Sequence, residues 1–255
     1  MPGEVTAPLG LLLGFLLVLA RVGGAFVFVP LPGVNQGPQM VRAVLAVSAT
    51  IALFPVWPEV PVAGIGIGQL LVWMISEAAF GVTAGVAVAF LVETLILAAQ
   101  AFAVQAGYSY ASTIDPTTQA DSNVLVVFAH LTAGLLFFAL GLDRQVLAVF
   151  ARSLAVYPPG TYQLYPGGVE AVLKLGGAMF TTGLRLAMPV IVLLMLVDIA
   201  LALLGRIHMQ LQLLTLAFPV KMLATLAFFA VVTAFFVPVF RDAAERTVAV
   251  LRGGM

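Results

Sequence analysis

The sequence predicts an all-α, polytopic membrane protein of long helical hairpins, with about six apolar helices. The first observation is a set of charge-free runs between Glu4 and Arg21, Arg21 and Arg42, Glu93 and Asp115, Asp121 and Asp143, and Lys221 and Arg241. A bilayer's hydrocarbon core is crossed by about 20 mostly apolar residues of helix. Only an element that satisfies its own backbone hydrogen bonds can sit there, which makes helix the default. The second observation is composition: 62% hydrophobic and 9% charged residues, with a mean hydropathy of +1.15. A soluble fold carries about a quarter charged residues to cover its surface.

The elements follow in order. The first helix is expected from about Pro8 to Val29 and ends at Pro30, Pro32 and Gly33, because proline cannot continue a helix interior. Asn35 to Pro38 reads as a turn. Val41 to Phe54 is a second apolar helix, short for a span, stopped by Pro55 and Pro58. Gln69 to Ala106 reads as one long helix or a kinked pair. Unbroken, it would exceed a bilayer core and must tilt, break or project. Gly107 to Asn123 is a loop by composition, the one extended polar cluster within the hydrophobic body. Val124 to Gly141 is a helix, with an amphipathic continuation to Val156 that carries Arg144 and Arg152. Tyr157 to Gly168 is a Pro- and Gly-rich loop. Val169 to Leu204 is a long helix with a kink expected at Pro189. Arg206 to Gln212 is a polar hinge, and Leu213 to Val239 completes a final hairpin.

The whole of 1–255 reads as a single integral membrane domain, with room for about six spans and none for a separate soluble domain. Eleven basic and eleven acidic residues cancel, which argues against a nucleic-acid-binding face. The lack of cysteine removes disulfides and thiolate sites. The N-terminal apolar run is longer than a signal-peptide core and lacks a basic flank, so it reads as a retained span. With six spans, the Tyr157 loop and the tail bearing Arg241, Arg246 and Arg252 share the face of the N-terminus. The basic excess there favours a cytoplasmic N-terminus.

Polar side chains set among apolar ones are the candidates for function, because a charge at membrane depth faces protein, water or a partner. Arg21, Glu93, Gln100, Gln105, Arg185, Asp198, Arg206 and Lys221 form the set expected to be buried or partner-facing, and Glu77 also lies within an apolar segment. Glu93 and Gln100, seven apart, share a helical stripe, while Arg185 and Asp198 fall on different faces of a straight helix. Taken singly, Arg21 and Lys221 are expected to snorkel rather than line an ion path. Gly81-x-x-x-Gly85 and the surrounding alanines permit close helix approach. His130 and His208 have no second ligand at metal spacing. No phosphate loop and no hydrolase or zinc-protease motif occurs. No enzyme and no cofactor is expected.

The spacing of Arg21, Pro30, Pro38, Arg42 and Pro55 resembles the N-terminal half of the FliR family, which comprises the flagellar export-gate subunit and its virulence-type III secretion relatives. Gln105-Ala-Gly107-Tyr-Ser109-Tyr-Ala111, followed by Asp115-Pro116, is similar to its Q-x-G-x-S-x-A and Asp-Pro stretch. Ala202-Leu-Leu204-Gly-Arg206-Ile-His-Met-Gln210-Leu211 and Ala217-Phe218-Pro219 are similar to its C-terminal motif. The resemblance covers nearly the whole chain in order. This sequence departs from it in having Ala99-Gln100 for the common Gly-Glu, and Met209 where proline is common.

The resemblance implies a channel-forming subunit of the type III protein export gate, flagellar rather than virulence-associated, in the bacterial inner membrane at the flagellar basal body. Its implied partners are FliP-like and FliQ-like membrane subunits, in a hetero-oligomeric helical assembly, an FlhB-like switch subunit and exported unfolded proteins. It also implies a pore-closing plug loop, with Gly107, Tyr108, Ser109, Tyr110, Ala111, Ile114, Asp115 and Pro116 as its residues. The residues alone allow the loop to be a solvent loop or a pore element, since irregular backbone at membrane depth is tolerated only inside protein or beside water. A secondary transporter of a small solute, with Pro189 and Asp198 at a broken helix, is the rival from another class. A structural scaffold in the same complex is a third.

Overall fold

A computed structural model of the chain describes residues 6–29, 39–57, 60, 65–108, 124–162, 166–207 and 213–253. Among them are seven α-helices, labelled here α1 (Thr6–Phe26), α2 (Gln39–Ala52), α3 (Ile67–Ala106), α4 (Val124–Ala139), α5 (Leu142–Val156), α6 (Pro166–Ile207) and α7 (Leu213–Gly253). A short 3-10 turn, Phe54–Val56, follows α2 and contains Pro55. Four helices, α1, α3, α6 and α7, are long and apolar enough to cross a membrane, or five crossings if α4 and α5 are one broken span. The protein is an all-α polytopic membrane protein.

Several boundaries differ from expectation for identifiable reasons. The segment around residues 69–106 is one unbroken helix of 40 residues, about 60 Å along its axis at 1.5 Å per residue. Its alanines favour helix, and Gly81 and Gly85 are packed against the backbone of α1. A turn at Leu140–Gly141 separates α4 from α5, so the expected amphipathic continuation is a distinct helix. Pro189 lies inside an unbroken α6. The last helix does not stop near Val239 but continues through Pro238 to Gly253. Beyond that proline, Ala244, Thr247, Val248 and Leu251 are buried at helical spacing, and this apolar stripe sustains the helix.

The chain divides into two compact units. The first holds Met1–Phe90, Phe137–Gly176 and Ala243–Met255, and the second Leu91–Leu136 and Gly177–Asp242. In the first, α1 and α3 touch backbone to backbone. A methyl group on Gly81 would overlap the Arg21 carbonyl, and one on Gly24 or Gly85 would come within 2.5 Å of the Ala78 or Ala25 carbonyl oxygen. The Gly81-x-x-x-Gly85 spacing provides this approach. Around it an aromatic cluster centres on Phe80, whose ring lies 4.9 Å from Tyr162 and 6.4 Å from both Phe150 and Tyr157. The second unit is built on Phe102, Phe229 and Phe236, with ring separations of 5.9 and 5.7 Å, beside buried Leu95, Leu125 and Leu194.

Candidate functional site

In the second unit α3 ends on a built cap. Gly107 takes φ 87, the left-handed conformation that glycine adopts without penalty. The Tyr108 N–H donates to the Ala103 carbonyl and the Gly107 N–H to the Val104 carbonyl, both at 3.1 Å. This is the paired bonding of a Schellman motif, and it satisfies carbonyls that a helix end otherwise orphans. Two contacts then fix the chain's exit. The Tyr108 hydroxyl donates to the Met222 carbonyl at 3.1 Å, and a methyl on Gly107 would come within 2.9 Å of the Phe218 ring. Both partners belong to α7, on either side of Lys221.

Two residues before Gly107, the Gln105 amide donates to Asp198 Oδ2 at 3.2 Å. Lys221 Nζ lies 2.9 Å from Oδ1 and 3.1 Å from Oδ2 of the same carboxylate. Asp198 on α6 therefore ties the end of α3 to α7. This corrects the expectation that Lys221 snorkels. Its side chain is 14% exposed and its ammonium is ion-paired, because a carboxylate from the adjoining helix lies within reach. It also explains why Asp198 needs no contact with Arg185.

The remaining candidates on these helices stay apart. Glu93 and Gln100 are exposed on α3, and Arg185 and Arg206 are exposed on α6. Ser109, Tyr110, Ala111, Ile114, Asp115 and Pro116 lie outside the described residues, as does His208.

The first unit contains a polar node that sequence reasoning did not assemble. Arg21 and Glu77 are both fully buried and ion-paired through Arg21 Nε and Glu77 Oε2. Arg21 also donates to Ser153 Oγ at 3.0 Å and to the Tyr157 carbonyl at 2.8 Å, and its guanidinium sits 4.8 Å from the centre of the Phe80 ring. Glu77 Oε1 accepts from the Gly160 N–H at 3.1 Å. Gly160 has φ 81 and lies so close to the Trp73 indole that a methyl there would come within 2.5 Å.

Arg21 thus does not snorkel. A buried guanidinium is tolerated when its donors are met in a fixed geometry, and here carboxylate, hydroxyl and carbonyl meet them. Among the described residues no buried side-chain nitrogen or oxygen lacks a partner. The sequence signal for the pair was two opposite charges in separate apolar segments. For Ser153, the Tyr157 carbonyl and Gly160 there was no signal beyond the turn residues of the 157–168 loop.

The profile of the family described as bacterial export proteins, family 1, matches residues 12–247. Three similar proteins bear the name flagellar biosynthetic protein FliR. That of Escherichia coli (strain K12) is 28% identical over 210 residues, covering 81% of this chain and 77% of its own. That of Bacillus subtilis (strain 168) is 26% identical over 243 residues, 93% of each chain. That of Aquifex aeolicus (strain VF5) is 24% identical over 210 residues, 82% of this chain and 81% of its own.

Proposed function

The chain belongs to the bacterial export proteins, family 1, and on that premise we propose that it is a channel-forming subunit of a bacterial flagellar type III protein export gate. Its helices contribute wall to a conduit for unfolded proteins, and the segment after α3 closes that conduit at rest. It works in the inner membrane at the flagellar basal body, with FliP-like, FliQ-like and FlhB-like subunits. The flagellar assignment, rather than a virulence system, is supported by the names of its relatives. The role is non-enzymatic, and the sequence holds no nucleotide-binding motif to power transport.

The observation that carries this reading is the anchored end of α3. A segment that must seal against ions and yield to a polypeptide needs a rigid point of departure. The Gly107 cap, the Tyr108–Met222 bond and the Gln105–Asp198–Lys221 contacts supply one. Membership of a larger assembly is supported by the unevenness of burial. The most apolar window of α3 is 61% buried within the chain, against 22% in α6 and in α7. The apolar faces of α6 and α7 that the chain leaves bare are available to companion helices.

The test is deletion of residues 108–114. The gate is expected to assemble with its companion subunits and to leak small ions, read as membrane conductance or as growth arrest on overexpression. An unchanged conductance in the assembled mutant gate counts against closure by this segment. Purification of the wild-type chain as a lone monodisperse monomer counts against the assembly itself.

A further inference from the structure

In the first unit a cavity of about 160 Å³ opens between α5 and the C-terminal end of α7. Its apolar lining includes Phe80, Val149, Val156 and Leu251, and Arg152 and Arg252 stand at it from the two helices. Among the described residues neither guanidinium has a hydrogen-bond or ion-pair partner. The other cation nearby, Arg21, is neutralised by Glu77. The one hydroxyl of the lining, Ser153 Oγ, already accepts from Arg21 and donates to the Phe150 carbonyl at 2.8 Å. Among the described residues, then, Arg152 and Arg252 stand over an apolar wall with no ion-pair partner.

We propose that this cavity binds the headgroup of an anionic phospholipid, with Arg152 and Arg252 on the phosphodiester and the Val149–Val156–Leu251 wall against the glycerol and first acyl carbons. Guanidinium pairs suit phosphate oxygens because each presents parallel donors in a fixed fork. Basic clefts between helices beside the membrane surface are where lipid phosphates are held.

Two further features suit a cavity at headgroup depth. Tyr157 lines it, Tyr162 packs on Phe80 and Tyr157, and the Trp73 indole lies against Gly160 of the following loop. Tyrosine and tryptophan concentrate at the membrane–water boundary. In addition, α5 is a 15-residue amphipathic helix, with Leu142, Val146, Val149, Phe150 and Leu154 buried and Arg144 and Arg152 exposed. Such a helix suits the interface plane. Free phosphate would satisfy the arginines and leave the apolar wall bare, whereas a phospholipid satisfies both.

The proposal stands apart from the gate assignment, and its test does not read export. The full-length chain, extracted with its accompanying subunits, is delipidated in a neutral detergent. It is then titrated with short-chain phosphatidylglycerol, with phosphatidylcholine and inorganic phosphate as parallel probes, and bound lipid is counted by native mass spectrometry. Wild type should retain phosphatidylglycerol in preference to phosphatidylcholine. The double variant Arg152→Gln/Arg252→Gln should retain it about 30-fold more weakly, as expected for two cations beside a lipid phosphate. Arg144→Gln, on the same helix but away from the cavity, should behave as wild type. Because Arg152 and Arg252 are exposed, their loss leaves the core untouched, and an unchanged melting temperature in plain detergent checks this.

Equal retention of the two lipids, or undiminished phosphatidylglycerol in the double variant, overturns the proposal. So does displacement of the lipid by inorganic phosphate at equal concentration, which marks a free-phosphate site. Loss of a companion subunit from the double variant with its lipid count unchanged overturns it in favour of an acidic protein contact.

Discussion

Removing one member of the Arg21–Glu77 pair should cost more than removing both. Glu77→Leu leaves a guanidinium fully buried with only the Ser153 hydroxyl and the Tyr157 carbonyl as acceptors. Stripping the partner from a buried ion costs about 3–5 kcal/mol. Arg21→Met leaves a buried carboxylate that keeps the Gly160 N–H as donor, with a similar penalty of about 3–5 kcal/mol. The double change Arg21→Met/Glu77→Leu buries no charge. It orphans two part-buried backbone groups, the Tyr157 carbonyl and the Gly160 N–H, at about 1 kcal/mol each at the low end of such costs. The singles therefore sum to about 8 kcal/mol and the double to about 2, a coupling of about 6 kcal/mol. Reversible unfolding of the purified protein in mixed micelles, run as a double-mutant cycle, measures all four corners. Simple additivity, or a Glu77→Leu protein within about 1 kcal/mol of wild type, would refute the reasoning that the node is a charge pair held in a low-polarity interior.

Three further substitutions have outcomes set by the geometry. Gly81→Val should destabilise the first unit by about 3 kcal/mol or more, because the side chain meets the α1 backbone rather than a yielding side chain, seen as loss of the folded species in size-exclusion chromatography. Gly160→Ala should cost about 2 kcal/mol from its left-handed backbone and the Trp73 contact together, with a matching change in tryptophan fluorescence. Asp198→Asn should cost only about 1 kcal/mol in thermal unfolding, since its side chain is 42% exposed and solvent already screens the pair. If the anchored end of α3 sets the closed state, the same Asp198→Asn substitution should nonetheless raise ion leak measurably above wild type in the assembled gate.

What could be read from the chain alone divides by the range of the interaction. The apolar helices, the Gly81-x-x-x-Gly85 contact and the stop at Gly107 are each encoded within a few residues, and spacing rules recover them. The Arg21–Glu77 and Asp198–Lys221 pairs join residues 56 and 23 apart in sequence, and no local pattern names the partner. For that reason two side chains that looked suited to reach an interface are instead held by carboxylates on other helices. The continuation of α7 past Val239 rests on the Ala244–Thr247–Val248–Leu251 stripe, which follows Arg241 and Asp242, where the uninterrupted apolar run ends. The one backbone bond lost at Pro238 is a smaller term than four buried side chains.

The glycine-lined crossing of α1 and α3 restricts how this protein can move. With carbonyl oxygens of one backbone resting where side chains of the other would begin, neither rod can roll or slip without atoms colliding, and neither lipid nor water fits between them. Any rearrangement in that part of the molecule must carry the two rods together, as one lever, and the bending must happen at joints elsewhere.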